Sequence, residues 1–157
     1  DVRVYGFLPK AAALIGGASE FVVVTGYEAE PLEAHLAGLS RRLGAPIACV
    51  RNPDWRLANG LSAMTGARAA GGRFLLLMTD HLFDPEIVQG LLHAAGDRPG
   101  LTLAVDRRLH NPLVDLEDVT RVQLGEGGAI RGIGKLIEPY DAFDTGLFLH
   151  CFDDFLR

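Results

Sequence analysis

Phe74-Leu-Leu-Leu-Met-Thr-Asp-His-Leu-Phe-Asp84 decides how this chain folds. Five apolar residues, Phe74 to Met78, have the length and type of a strand buried on both faces, as found in the middle of a parallel sheet. Asp80 stands just beyond that run. In open α/β sheets ligands sit outside the carboxyl ends of the strands, so an acid there is placed for metal or phosphate chemistry. Asp84-Pro85-Glu86 predicts a helix start, with Asp84 as N-cap and Pro85 at the first helical position. Asp80 therefore belongs to a strand-to-helix turn.

Working outward, Phe21–Thr25 is β-branched, apolar and ended by Gly26, which predicts a buried strand. Leu32, Leu36, Leu39 and Leu43 recur at helical spacing over 31–43, with Arg41 and Arg42 in the last turn and Gly44 beyond. Residues 46–50 predict a further strand. Residues 59–70 predict a helix whose amino end carries free N–H groups, and 85–95 one with Ile87, Val88, Leu91, Leu92 and Ala95 on one face. Leu101 to Val105 repeats the strand signal and ends at Asp106. This alternation predicts an α/β fold with a mixed, mostly parallel sheet flanked by helices. After Asp106 the pattern changes: 120–124 and 129–133 flank Gly125-Glu-Gly-Gly128 as a hairpin, and Asp144-Thr-Gly146 precedes apolar Leu147-Phe-Leu149. With no repeat or linker, 1–157 reads as a single domain.

The 157 residues are 48% hydrophobic and 22% charged, enough for one substantial core. A net charge of -5 and a pI near 5.5 argue against a nucleic-acid or anionic-membrane surface, which needs a basic footprint. Cys49 and Cys151 belong to no C-x-x-C pair, so neither zinc nor a disulfide framework is expected. With no run of membrane-span length and no signal-peptide succession, the chain is read as cytoplasmic and soluble.

Asp80 and Asp144 form the candidate metal pair, because Mg²⁺ takes one or two carboxylates and completes its shell with phosphate oxygens and water. Each also has a bland reading, Asp80 as a turn or cap acid and Asp144 as part of a common turn composition. Asn59-Gly60-Leu61-Ser62 fits either an anion or base edge at a helix start, or a plain cap. Lys10 and Lys135 are the only lysines, and Lys135 after Gly134 is placed to meet a phosphate or to stay solvated. His81 is a base, a metal neighbour or a supporting hydrogen-bonder. Asp115, Glu117 and Asp118 read as a solvated face. No G-x-S-x-G elbow or G-x-x-x-x-G-K-[ST] loop occurs.

Taken together, Leu8-Pro-Lys10, Phe21-Val-Val-Val-Thr-Gly-Tyr27, Asn52-Pro53 with Asn59-Gly-Leu-Ser62, Leu77-Met-Thr-Asp-His81, Ala104-Val-Asp-Arg107, Asp118-Val-Thr-Arg-Val122, Ile133-Gly-Lys135 and Tyr140-Asp-Ala-Phe-Asp-Thr-Gly146 resemble the inositol-1-phosphate cytidylyltransferases, of the sugar-phosphate nucleotidyltransferase superfamily. The resemblance implies a Rossmann-like nucleotidyltransferase fold. It implies Mg²⁺ on Asp80 and Asp144, Lys10 on the triphosphate and Lys135 near the transferred or acceptor phosphate. Asn59, Gly60 and Ser62 would recognise the pyrimidine of CTP, and Asp106 and Arg107 would line the acceptor pocket. The implied reaction transfers CMP from CTP to inositol 1-phosphate, giving CDP-inositol and pyrophosphate. It also implies fusion or partnership with a membrane CDP-alcohol phosphotransferase. Phosphocholine or a sugar phosphate as acceptor, a nucleotide-binding domain without turnover, and a glycosyltransferase using Asp80 and Asp84 are the alternatives. The first strand and glycine-rich loop with which that family opens have no match here, so the sequence reads as incomplete at both ends.

Overall fold

Helices and strands form where the apolar patterns place them, except at residues 142–151, where a ten-residue strand runs through the Asp-Thr-Gly segment. The structure, a computed structural model, describes residues 20–78, 81 and 83–151; Lys10 and Asp80 lie outside the described residues. β1 (Phe21–Thr25) and β2 (Ile47–Arg51) pair in parallel, from Phe21 opposite Ile47 to Thr25 opposite Arg51. Between them runs α1 (Ala29–Leu43), which buries Leu36 and Leu39 and closes on Gly44 in the left-handed region at φ 63°. Its leucines supply the apolar stripe that the spacing predicted. At the carboxyl end of the strand pair, Arg51 donates through Nε and Nη2 to Glu33 at 2.9 Å each, and Thr25 Oγ1 donates to the same carboxylate at 2.7 Å. Arg51 first and Thr25 second hold the Glu33 carboxyl down at about 2. This clip ties α1 to both strands.

α2 (Asn59–Ala70) lies against β1 and β2 and reaches β3, with Gly66 close under Val24. The loop before it brings Trp55 onto Gly26, where a Cβ would stand 2.4 Å from Trp55 Cβ and 2.8 Å from Cγ. Both obstacles sit at the root of a bulky side chain, so Gly26→Ala must push the loop away. It is expected to lower stability by about 1–3 kcal/mol. Chemical denaturation followed by the fluorescence of Trp55, the chain's single tryptophan, measures this; an unchanged midpoint would remove the close approach as a constraint.

The remaining strands are β3 (Arg73–Leu77), β4 (Gly100–Asp106), β5 (Arg121–Leu124), β6 (Ile130–Gly134) and β7 (Ala142–Cys151). β7 is the axis. Its residues Leu147–Cys151 pair antiparallel with β3 on one edge and with β4 on the other, and Phe143 pairs with both Asp106 of β4 and Arg121 of β5. β3 and β5 therefore share one edge of β7, end to end. β5 and β6 form the expected hairpin, turning through Glu126–Gly128. α3 (Pro85–Ala95) has the expected start, with Asp84 accepting from the Glu86 N–H at 2.9 Å. Its Val88, Leu91 and Ala95 pack on Leu147 and Leu149 with Leu75, Leu77 and Ala104 around them, which forms the main core.

The α/β class stands, but the pairing differs in one respect. β3 and β4 run in the same direction, as a βαβ unit requires, yet they are not neighbours, because β7 lies antiparallel between them. β1 with β2 is the parallel ladder among the described residues. The most buried strand is accordingly β7, with Ala142, Phe143, Leu147, Leu149 and His150 buried, whereas β3 is half-buried from Phe74 to Leu77. No helix of the described residues is long and apolar enough to cross a membrane.

Candidate active site

A bulge in β7 builds the site. Leu103 faces Phe148 while Val105 faces Asp144, so β7 advances four residues where β4 advances two. The surplus falls at Asp144-Thr145-Gly146, in the gap on the other edge between the end of β3 at Leu147 and the start of β5 at Phe143. Bulges of this kind bend a strand and re-aim its side chains, often beside active sites. Three contacts pin it. Thr145 Oγ1 donates to the Ala104 carbonyl at 2.7 Å, the Met78 N–H donates to the Gly146 carbonyl at 3.3 Å, and the Asp144 N–H donates to the Thr120 carbonyl at 2.9 Å.

Gly146 is required twice over. Its φ is +72°, and a Cβ there would lie 3.0 Å from Met78 Cγ and 3.4 Å from Cε1 and Nε2 of His81. The residues on either side of Thr79-Asp80 in the sequence thus lie against the Asp-Thr-Gly turn. Asp144 is half-buried, and its Oδ1 accepts the Gly146 N–H at 2.7 Å. Burial pushes its carboxyl up; the Gly146 N–H and the nearby His81 partly offset this.

Register extends the site sideways. The row Asp106–Phe143–Arg121–Gly134 crosses four strands, so the next row is Val105–Asp144–Thr120–Lys135. Strands lie about 4.8 Å apart, which sets the Lys135 backbone roughly 10 Å from that of Asp144. The Lys135 ammonium is not free: it donates to Asp118 Oδ1 at the surface and holds that carboxyl below its usual range. Asp118 is thus the ion-pair partner of Lys135, a pairing that the sequence pattern concealed among three solvated acids. Arg121, beside it, is fixed by Glu138 at 2.6 Å and stacks over Tyr140 at 4.9 Å.

Asp106 falls out of this group. Neighbouring residues of a strand point to opposite faces, so Asp106, opposite Phe143, looks away from the face that carries Asp144. Its carboxylate is gripped by Arg108 through the backbone N–H at 2.9 Å, Nε at 2.9 Å and Nη2 at 2.8 Å, which holds its carboxyl below the usual range. Arg107 is exposed and has no ion pair among the described residues. On α2, Asn59 and Gly60 are exposed in the first turn; the N-cap is Ala58, without a side-chain cap, so Asn59 is not consumed as one. Ser62 Oγ accepts from Nδ2 of the buried Asn52 at 2.9 Å, and Asn52 Oδ1 accepts the Asp54 N–H at 3.0 Å. Ser62 therefore shapes the loop while keeping its own O–H to donate. Asp84 is occupied as the α3 cap, which removes it from any Asp-x-x-x-Asp metal motif.

These residues fit a divalent cation held largely by its substrate. Among the described residues no group of three His, Cys, Asp or Glu gathers. Asp144 offers Oδ2, since Oδ1 takes the Gly146 N–H. An ion that keeps waters and phosphate oxygens needs few protein carboxylates.

No family model matches the sequence. A protein of Rubrobacter xylanophilus named Bifunctional IPC transferase and DIPP synthase is 40% identical over 131 residues, covering 83% of this chain and 28% of the relative. The inositol-1-phosphate CTP transferase from T. maritima superposes with a TM-score of 0.74 at 27% identity, over 94% of this chain and 57% of that one. A putative glucose-1-phosphate thymidylyltransferase from Bacillus anthracis gives 0.71 at 14% identity, over 95% and 58%, a likeness of fold. The chain has the nucleotidyltransferase fold. Within that class it is a homologue of the bifunctional IPC transferases, and spans under a third of the length of the relative named here.

Proposed function

We propose that this domain transfers CMP from CTP to inositol 1-phosphate, giving CDP-inositol and pyrophosphate. The observation that carries the reading is the pinned bulge, which sets the Asp144-Thr145-Gly146 turn against Met78 and His81 in the gap between β3 and β5, with Lys135 two strands away in the same row as Asp144. An oxygen of the acceptor phosphate attacks the α-phosphorus of CTP in line, the bond from that phosphorus to the β-bridging oxygen breaks, and pyrophosphate leaves. The attacking oxygen is already ionised near neutral pH, so no side chain need remove a proton. His81 then supports Asp144 rather than acting as a base. Lys135 meets phosphate charge once it exchanges Asp118 for substrate, and Lys10 serves the triphosphate. Asn59, Gly60 and Ser62 face the pyrimidine. Mg²⁺, held by Asp144 with Asp80, would neutralise phosphate charge as it moves to the leaving group. The relatives are bifunctional, which supports a cytoplasmic domain joined to, or working beside, a membrane CDP-alcohol phosphotransferase.

The test follows pyrophosphate from full-length protein with CTP, Mg²⁺ and inositol 1-phosphate, phosphocholine or glucose 1-phosphate. Release is expected with inositol 1-phosphate above the others, and chelation of Mg²⁺ is expected to stop it. Asp80→Asn is expected to reduce turnover by about 100-fold or more, the scale of losing one preorganised electrostatic group. Release with phosphocholine alone would overturn the acceptor assignment, and CTP binding without release from any acceptor would overturn the enzyme.

A further inference from the structure

The ammonium of Lys135 and the carboxylate of Asp118 meet across 17 residues of chain, and the two segments that carry them are tied together a second time. Asp118 belongs to a compact turn built on Asp115, which accepts the Glu117 N–H through Oδ1 and the Val119 N–H through its carbonyl, both at 2.9 Å. Lys135 follows Gly134, which stands opposite Arg121 in the β5–β6 ladder. The Arg121 guanidinium joins the two segments. Its Nη1 donates to Glu138, just beyond Lys135, at 2.6 Å, and its Nη2 to the Leu116 carbonyl, just before Asp118, at 3.4 Å. This brace is largely buried, with Tyr140 against the guanidinium. The pair it supports stays open to solvent, 56% of the Lys135 side chain and 81% of that of Asp118 being exposed. A pair held in register yet open is one that a ligand can exchange.

We infer that Asp118 is a resident competitor for Lys135, a carboxylate that yields the ammonium to the acceptor phosphate and takes it back from the product. The inference rests on the transferase reading and deepens it. The reaction itself changes the charge that Lys135 meets. A phosphate monoester arrives largely as a dianion at neutral pH, its second pKa being about 6. Charge-assisted hydrogen bonds to such a group are among the strongest a lysine makes. After transfer the same phosphorus lies in a pyrophosphate diester, where its group carries a single negative charge. A carboxylate also carries one. Asp118 therefore loses Lys135 to the substrate and contests it evenly with the product, which favours release. Exposure sets the strength of the device: a solvated ion pair shifts an equilibrium only a few-fold, enough to compete and too little to block. A buried pair would make the exchange costly, because removing one partner strands the other charge.

The test compares Asp118→Asn, Lys135→Ala and the double variant in full-length protein, Asp118→Asn keeping the size of the side chain. Asp118→Asn is expected to lower KM for inositol 1-phosphate and the inhibition constant of CDP-inositol about two- to five-fold each, with KM for CTP unchanged. It is also expected to make acceptor binding more sensitive to salt, because binding then forms a new ion pair instead of exchanging one for another. In the Lys135→Ala background the same substitution is expected to change neither constant, as for two groups that act through one contact. An acceptor KM that stays unchanged or rises in Asp118→Asn overturns the inference, since the carboxylate would then be idle or would aim Lys135. An equal gain in the Lys135→Ala background overturns it too, since Asp118 would then repel the acceptor directly. If the wild type releases no pyrophosphate, the transferase reading falls separately. Calorimetric binding of inositol 1-phosphate then decides this inference, with equal affinity in wild type and Asp118→Asn, or no binding by either, overturning it.

Discussion

Asp144→Asn is expected to lower pyrophosphate-forming turnover by about 100- to 1,000-fold, the range seen when one preorganised electrostatic group is removed from an active site. The change is isosteric: the amide oxygen can still accept the Gly146 N–H that Oδ1 accepts at 2.7 Å. The backbone bond from the Asp144 N–H to Thr120 is untouched. What disappears is the charge. Stability is expected to move the other way. Burial raises the Asp144 carboxyl above its usual range, so folding penalises the ionised form. That penalty is absent below the unfolded pKa and grows as pH rises through the folded one. Asp144→Asn should therefore match the wild type in acid and equal or exceed it at neutral pH, while activity is lost. A ligand carboxylate kept at some expense in stability is the usual trade at active sites. Urea titrations at pH 3.5 and pH 7.5 beside the turnover assay check both halves. Turnover within a few-fold of wild type would remove Asp144 from the chemistry. A variant less stable at neutral pH than wild type would mean the carboxylate serves the fold.

The elements that depend on one local period were legible in the sequence. α1 and α3 were marked by leucine or mixed apolar stripes and by Gly44 and Gly96, and the β5–β6 hairpin by its glycines. The position of β7 was not legible. A strand that carries Asp144, Thr145 and Gly146 in its middle does not read as the centre of a sheet, and its insertion between β3 and β4 is a long-range choice no local window contains. The site divides in the same way. Asp144 stands out in the sequence because an acid beside an apolar run is unusual, and Lys135 because lysines are rare in this chain. Asp106 ends a strand as an acid too, and the family resemblance sets it with Arg107 in the acceptor pocket. Only register reveals that it faces away and is held by Arg108. Asp118 was concealed by its acidic neighbours, since its partner Lys135 lies 17 residues on. Asp80 and Lys10 rest on sequence alone.

Gly146→Ala is expected to lower kcat by about 100-fold while the protein remains folded, and two magnitudes decide why activity suffers more than stability. A non-glycine residue held in the left-handed region costs on the order of 1–3 kcal/mol. For a domain of this size that lowers Tm by roughly 3–10 °C, small against a total stability of about 5–15 kcal/mol. At 25 °C nearly all molecules stay native. The new methyl, however, meets Met78 Cγ at 3.0 Å, a contact that must give by a few tenths of an ångström, and stands 3.4 Å from His81, which leaves no slack on that side. The segment that yields either carries Asp144 or runs through Asp80, and misplacement of about 1 Å in a reacting constellation is enough for 100-fold. Gly128→Ala separates strain from displacement. Gly128 has φ +80° and nothing within 4 Å of a built Cβ, so its alanine variant should lose comparable stability and keep kcat. Thermal melts and kcat at 25 °C on both variants make the comparison. If both lose activity in proportion to Tm, the bulge at Gly146 matters for folding and not for aiming Asp144; if Gly146→Ala melts earlier but turns over normally, the contact with Met78 and His81 is slack and Asp144 does not depend on it.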